Sequence, residues 1–274
     1  MDYNPASKDV GGSVVFYEAF ADSYDDMINW SSRLQAEQAD IQQVFKEKNI
    51  KTIIDAGCGT GIHSIVFAKM GLKVIALDNT EEMLKVAQKN AERYKVTNVD
   101  FRLGEFTKLT KVIPEKVDCL VCLGNSLPHL VDDEEIHIAL SEFFNALEPG
   151  GFFILQMVHF DHYLDSADSA VAVTEGTRRG QKVIFRRHYE FKGTKVIFHV
   201  SVYDRFRREL VENFNAPLNA IRKDLLMNFM ERAGFVDVSV SRDFSGAPVE
   251  DKDRSLVLFA RKPREGEEPE EEEG

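Results

Sequence analysis

Asp55-Ala56-Gly57-Cys58-Gly59-Thr60-Gly61 separates a short apolar run, Thr52-Ile53-Ile54, from a helical stretch over residues 62–70 that Gly71 stops. Glycine admits positive φ and lets backbone approach a ligand closely. A glycine loop between a strand and a helix lies at the carboxyl edge of a parallel sheet, where such folds bind their ligands. Outward from the loop, strand and helix alternate. Residues 72–77 read as a strand; Thr80 then caps a helix with Met83, Leu84, Ala87 and Ala91 on its apolar face. Strands follow over 99–103 and 117–123, then a helix over 134–147, a stop at Pro149-Gly150-Gly151 and a strand over 152–158. Such repeating units imply right-handed crossovers and a doubly wound, parallel α/β sheet.

Ahead of this region, residues 14–30 read as one helix with Phe16, Phe20 and Met27 on a stripe, and residues 32–47 as a second. Beyond residue 158 the period changes. Alternating segments over 182–191 and 195–203 flank Lys192-Gly193-Thr194, a hairpin signal that marks an antiparallel β insertion. The α/β pattern resumes with a helix over 221–233, a stop at Gly234, and strands over 235–241 and 255–261. The expected organisation is a core of residues 1–160 and 220–262, with 1–35 as a helical lid. An insertion at 161–219 and a disordered acidic tail at 263–274 complete it.

A chain of 274 residues, 43% hydrophobic and 29% charged, fits one α/β unit with an insertion and can bury a sizeable core. No apolar run reaches the roughly eighteen residues of a membrane helix, and the N-terminus shows no signal-peptide pattern. Three cysteines exclude a disulfide framework and point to a soluble, cytoplasmic protein. Cys119 and Cys122 have the spacing of a redox pair, but on a strand they face opposite sides of the sheet. The net charge of −12 is uneven: residues 264–274 hold seven Glu, while residues 178–208 hold ten Lys and Arg against Glu190 and Asp204. The balance argues against a general nucleic-acid binder, and the basic segment keeps that question open. That segment reads as an edge hairpin whose cations block aggregation, or as a lid supplying Arg186, Arg187 or Tyr203 to an acidic substrate.

Two more strand ends address the ligand. Asp78 ends the strand after the glycine loop, where a carboxylate can accept both hydroxyls of a ribose. Gly104-Glu105-Phe106 ends the next, offering an acidic acceptor and an aromatic ring beside the nucleobase position. A dinucleotide fingerprint needs Gly-x-Gly-x-x-Gly, whereas here the spacing is Gly57-x-Gly59-x-Gly61 with Ile at 62. Asp55 would repel a phosphate and suits a cationic ligand.

These residues resemble the motifs of class I S-adenosylmethionine (SAM) dependent methyltransferases. Asp55 to Gly61 looks like motif I, and Val74-Ile75-Ala76-Leu77-Asp78 and Leu103-Gly104-Glu105-Phe106 look like those that follow. Ala146-Leu147-Glu148-Pro149-Gly150-Gly151 is similar to the segment before the fifth strand. The resemblance covers roughly residues 14–160 and 220–262. It implies a seven-stranded, mostly parallel, Rossmann-like sheet whose last two strands form an antiparallel hairpin. It also implies SAM as cofactor, with S-adenosylhomocysteine as product. Cys122-Leu123-Gly124-Asn125-Ser126-Leu127-Pro128-His129-Leu130 and Met27-Ile28-Asn29-Trp30-Ser31-Ser32-Arg33 are similar to the glycine/sarcosine N-methyltransferase branch. That likeness has Trp30 pack near the donor and Arg33 pair with its methionine carboxylate. Asp55, Gly57 and Gly59 approach the donor, Asp78 holds the ribose with Asn79 and Met83 beside it, and Glu105 and Phe106 meet the adenine. Leu123 and Asn125 line the sulfonium end, and Tyr17 or Tyr24 closes over it. Glycine-type enzymes carry Arg-Asn-Tyr-Asp after the fifth strand, the arginine holding the substrate carboxylate. Here Val158-His159-Phe160-Asp161 stands in that place.

Methyl transfer requires the protein mainly to align a nucleophile and exclude water. An amine needs no strong base; a hydroxyl needs one in hydrogen-bond reach. His129 is the candidate for proton transfer and Asn125 for acceptor contact; His129 can equally cap the next helix. His159, Asp161 and His162 lack metal-site spacing, so no metal is expected. The expectation is a SAM-dependent methyltransferase acting on a small molecule, at an amine nitrogen, without nucleic-acid or membrane partners. An oxygen methyltransferase using His129 as base, or a SAM-binding sensor, are the alternatives. The oligomeric state is not readable.

Overall fold

The computed structural model describes residues 12–166, 170–192 and 195–267, leaving aside the side chains of residues 12, 13 and 31–36. The chain begins with α1 (Gly12–Phe20), a 3-10 turn, α2 (Tyr24–Ile28) and α3 (Trp30–Glu47). It continues through β1 (Thr52–Ala56), α4 (Ile62–Lys69), β2 (Lys73–Asp78), α5 (Glu81–Arg93) and β3 (Val99–Leu103). Next come α6 (Leu109–Val112), β4 (Val117–Cys122), α7 (Asp133–Ala146), β5 (Leu147–Val158) and α8 (Phe160–Leu164). Four strands follow: β6 (Ala172–Arg178), β7 (Gln181–Lys192), β8 (Lys195–Asp204) and β9 (Leu210–Asn219). The chain then returns through α9 (Lys223–Arg232), β10 (Val236–Ser241) and β11 (Ser255–Arg261).

The main sheet has seven strands in the order β10-β11-β5-β4-β1-β2-β3, parallel except that β11 runs antiparallel to both its neighbours. The chain leaves β1 toward β2 and β3, then crosses back to β4 and β5, so the strand order reverses between β1 and β4. A crevice opens at that switch point beyond the carboxyl ends of the strands. Both faces are covered: Cys122 packs on one with Leu155 and Phe143, and Cys119 on the other with Phe67 and Ile53. The two thiols therefore point apart, as strand alternation predicts. Gly61, at φ +76°, is required by packing, because a Cβ there would stand 2.8 Å from Ala87 Cβ.

Four expectations are corrected. The single helix over residues 14–30 is two helices and a 3-10 turn, and Asn29 at φ +51° ends the second. The breaks let one segment face two ways: Asp25 accepts from Asn90 Nδ2 (3.0 Å) on α5, and Asp26 from the Thr177 N–H (2.7 Å) on β6. Thr80 stands at the N-cap position but does not cap; its hydroxyl donates to Asn79 Oδ1 (3.0 Å). Pro149-Gly150-Gly151 is a bulge inside β5, since Leu147 already pairs with Val117 and regular pairing resumes at Phe152 with Cys119. The basic hairpin is not an edge. β7 and β8 are the inner strands of a second, four-stranded antiparallel sheet, β6-β7-β8-β9. Pro217 masks β9 in the sequence; it is tolerated because β9 is an edge strand.

The acidic tail starts in contact with the core: Glu267 accepts from both terminal nitrogens of Arg261 at 2.7 and 2.6 Å. Residues 268–274 lie outside the described part. Among the described residues, no helix is long and apolar enough to cross a membrane.

The N-terminal segment and the second sheet share a core of Phe16, Phe20, Met27, Phe185, Val200 and Phe214. Arg178 is buried at its margin. Its guanidinium lies 4.7 Å from the Phe20 ring centre, donates to the Ala19 carbonyl and Ser23 Oγ, and pairs with Glu212. Replacing Arg178 with Met leaves Glu212 paired only with the exposed Arg179 and removes the bonds to Ala19 and Ser23. Urea unfolding should show a loss of about 1–3 kcal/mol, the range for buried charge-assisted hydrogen bonds removed while the carboxylate keeps one partner.

Candidate active site

The carboxyl ends of β1, β2 and β3 deliver Gly57 and Gly59, Asp78 and Asn79, and Glu105 and Phe106 to one cavity of about 570 Å³. Met83 from α5 also lines it, and Tyr17, Tyr24 and His129 form its other wall. Asp78 is fixed from two sides: Oδ2 accepts from the Gly59 N–H (2.8 Å) and Oδ1 from the Thr80 N–H (2.9 Å). Burial outweighs those bonds and lifts its pKa to about 6. Over Gly59 the space is open, for a Cβ there would meet only Tyr24 Cε1 at 4.0 Å. A side chain at that position would grow into the cavity.

A second cavity, of about 420 Å³, shares Tyr17, Tyr24 and His129 with the first. Gly124 and Asn125 enter it after β4, and Gln156, Met157 and Val158 from the end of β5. The second sheet supplies Arg187, Tyr189, Phe198 and Leu218, and α3 supplies Glu37. At the junction, Tyr17 Oη lies 2.7 Å from His129 Nε2, with the rings edge-on at 5.1 Å. Burial pushes the His129 pKa down to about 4, so the imidazole is neutral at pH 7. The Tyr17 phenol is held well above its ordinary value by burial and stays protonated.

The sequence-predicted residues divide accordingly. Tyr17, Tyr24, Gly57, Gly59, Asp78, Asn79, Met83, Glu105 and Phe106 meet around the first cavity. Asn125 lines the second; its Oδ1 accepts from the Val158 N–H (3.0 Å), tying the ends of β4 and β5 together. Three others line neither cavity. Trp30 stacks edge-on to His63 at 4.9 Å, Asp55 is buried and accepts from Ser64 Oγ, and Leu123 is a core residue. Arg33 falls among the side chains outside the described part. Arg187 lines the second cavity, whereas Arg186 and Tyr203 belong to the opposite face of the sheet. His159 and His162 bind the carbonyls of Asp253 and Asp251 through Nδ1, which anchors the loop before β11.

Sequence reading missed Ser126, Thr107 and Glu135 in the first cavity and Glu37, Gln156 and Tyr189 in the second. Ser126 follows the motif at the end of β4 and was within reach of inspection. Glu37 carried no local signal, because it reaches the site from a long surface helix.

An open backbone floor, an unprotonated carboxylate above about pH 6, and an aromatic ring fit the adenosine part of SAM. A family model described as a methyltransferase domain matches residues 53–151. The glycine/sarcosine N-methyltransferase of Aphanothece halophytica is 30% identical over 257 residues, spanning 90% of this chain and 89% of the relative. The enzyme of the same name from Halorhodospira halochloris is 29% identical over 239 residues, spanning 84% and 82%. The crystal structure of a SAM-dependent methyltransferase from Clostridium acetobutylicum ATCC 824 superposes with a TM-score of 0.74 at 17% identity, over 90% of this chain and 99% of that one. Fold and site thus define a SAM-dependent methyltransferase. The chain belongs to the class I family and lies near its glycine/sarcosine N-methyltransferase branch.

Asp78 sets a pH dependence. Donor hydroxyls need its ionised form, so SAM affinity should be nearly level between pH 7 and 6.5. It should then fall about tenfold by pH 5, as the proton at pKa about 6 competes. Calorimetric titration of Asp78→Asn should give weak binding with no such slope over the same range.

Proposed function

We propose that the protein transfers the methyl group of SAM to the nitrogen of a small-molecule amine. The observation that carries this reading is the junction: the two cavities share Tyr17, Tyr24 and His129 among the described residues, and the imidazole there is neutral. The names of the relatives, N-methyltransferases, support nitrogen as the acceptor atom. Three free, buried cysteines suit a reducing cytoplasm.

SAM supplies an electrophilic methyl carbon and a neutral thioether leaving group. The acceptor's nitrogen lone pair forms the new N–C bond while the electron pair of the breaking S–C bond returns to sulfur. The protein's work is alignment and exclusion of water. Asp78 with the floor at Gly57 and Gly59 holds the donor, and Tyr17 and Tyr24 close over the meeting point. An amine reaches the site as ammonium and must shed a proton before it can attack. That proton goes to solvent as the amine binds; His129, kept neutral by burial and hydrogen-bonded to Tyr17, leaves no positive charge at the junction to oppose the sulfonium.

The test uses SAM labelled on its methyl group, with amines and their hydroxyl counterparts offered side by side. Label should enter the amines, and Asp78→Ala should lose donor affinity by roughly 1–3 kcal/mol. His129→Gln, which keeps hydrogen bonding but not basicity, should leave turnover within about tenfold of the wild type, since an amine needs no strong base. Label in hydroxyl compounds only, or turnover abolished in His129→Gln, would overturn the reading.

A further inference from the structure

The acceptor cavity carries one cation and one carboxylate among its described lining residues, Arg187 and Glu37. Glu37 stands on the side of the main sheet, where Gln156 Nε2 donates to it at 2.9 Å and His63 lies 3.5 Å away. Arg187 comes from the opposite wall, on β7, on the same strand face as the buried Val183 and Phe185. Its cross-strand neighbours are Ala172 and Val200, and Tyr189 follows it on the same face. Val158 lines the same cavity and supplies no charge. A planar guanidinium with its fork of N–H donors matches a carboxylate in two parallel hydrogen bonds, and does so most strongly where water is excluded.

The size of the cavity points further. About 420 Å³ lies within the range of sites that enclose drug-sized ligands. Glycine would leave most of it unfilled. Much of the remaining wall is apolar: Met27, Ile28, Met157, Phe198 and Leu218. From the charge and the wall together, we infer that the acceptor is an amine carrying both a carboxylate, held by Arg187, and an apolar group the size of a leucine or phenylalanine side chain. This rests on the N-methylation reading above and names the substrate class for it. Arg187 is thereby a specificity-determining residue supplied by the inserted sheet. The bond changes are those already given; the carboxylate takes no part in them.

Two measurements separate the anion site from the chemistry. First, enzyme loaded with S-adenosylhomocysteine is titrated with 3-phenylpropionate, which has the carboxylate and ring but no amine. Binding should weaken about thirtyfold or more in Arg187→Met, with Arg187→Lys between, as for loss of one partner of a desolvated pair. Thermal melts confirm that each variant is folded. Second, labelled SAM is offered with L-phenylalanine, L-leucine, glycine and 2-phenylethylamine. The wild type should prefer phenylalanine and leucine over both glycine and phenylethylamine by at least about tenfold in kcat/KM. In Arg187→Met the ratio of phenylalanine to phenylethylamine should fall toward one. Arg187-dependent binding of the acid with no amine methylated keeps the anion site and sinks N-methylation. Phenylethylamine or glycine methylated as well as phenylalanine keeps N-methylation and sinks this inference. So does acid binding that is equal in wild type and Arg187→Met.

Discussion

The strand reversal between β1 and β4 is the constraint on which the rest of the molecule depends. Because β2 and β3 lie to one side and β4 and β5 to the other, the loops beyond β1 and β4 must part, and the parting is the crevice. Asp78 then locks its shape. By accepting from Gly59 and Thr80 at once, one carboxylate couples the glycine loop to the turn after β2. Those bonds favour the ionised carboxylate, but its burial beneath the crevice outweighs them and brings its titration near pH 6.

A crevice alone would bind a donor in the open. Enclosure comes from the N-terminal segment, which is broken twice so that adjacent residues can address different layers. Asp25 holds the core side, Asp26 and the Met27 carbonyl hold β6, and Arg178 answers from the second sheet. Tyr17 and Tyr24 are carried to the junction by this double attachment. His129 is desolvated by the same closure, so the neutral imidazole is a consequence of the lid rather than of a nearby charge.

How much of this was legible in the sequence follows from where each feature is encoded. The donor site rests on strand ends, and a strand end announces itself locally: Gly57 and Gly59 by their need for bare backbone, Asp78 and Glu105 by falling at the close of apolar runs. The seven-stranded sheet with its antiparallel final hairpin followed from the same motifs through the family they resemble. The acceptor site rests on register between distant strands. Arg187 was visible as a cation on an alternating strand, but which face it shares with a cavity depends on pairing with β6 and β8, and β6 and β9 were both missed. Val173 and Val211 gave those strands only short apolar signals, and Pro217 argued against one of them. Trp30 and Asp55, which motif likeness assigns to the donor, contact His63 and Ser64 and do not line the described cavities.

The two cavities therefore differ in how freely they can change. Every donor contact is tied to backbone geometry that the main sheet also needs, so a substitution there disturbs the fold's own turns. One wall of the second cavity is a face of the added sheet, where Leu218, Tyr189 and Phe198 both line the space and pack into the core. Val158 without charge at the end of β5 and Arg187 on β7 are two positions on facing walls of one space. An anion holder can be lost from one wall and supplied by another without moving the donor or the junction.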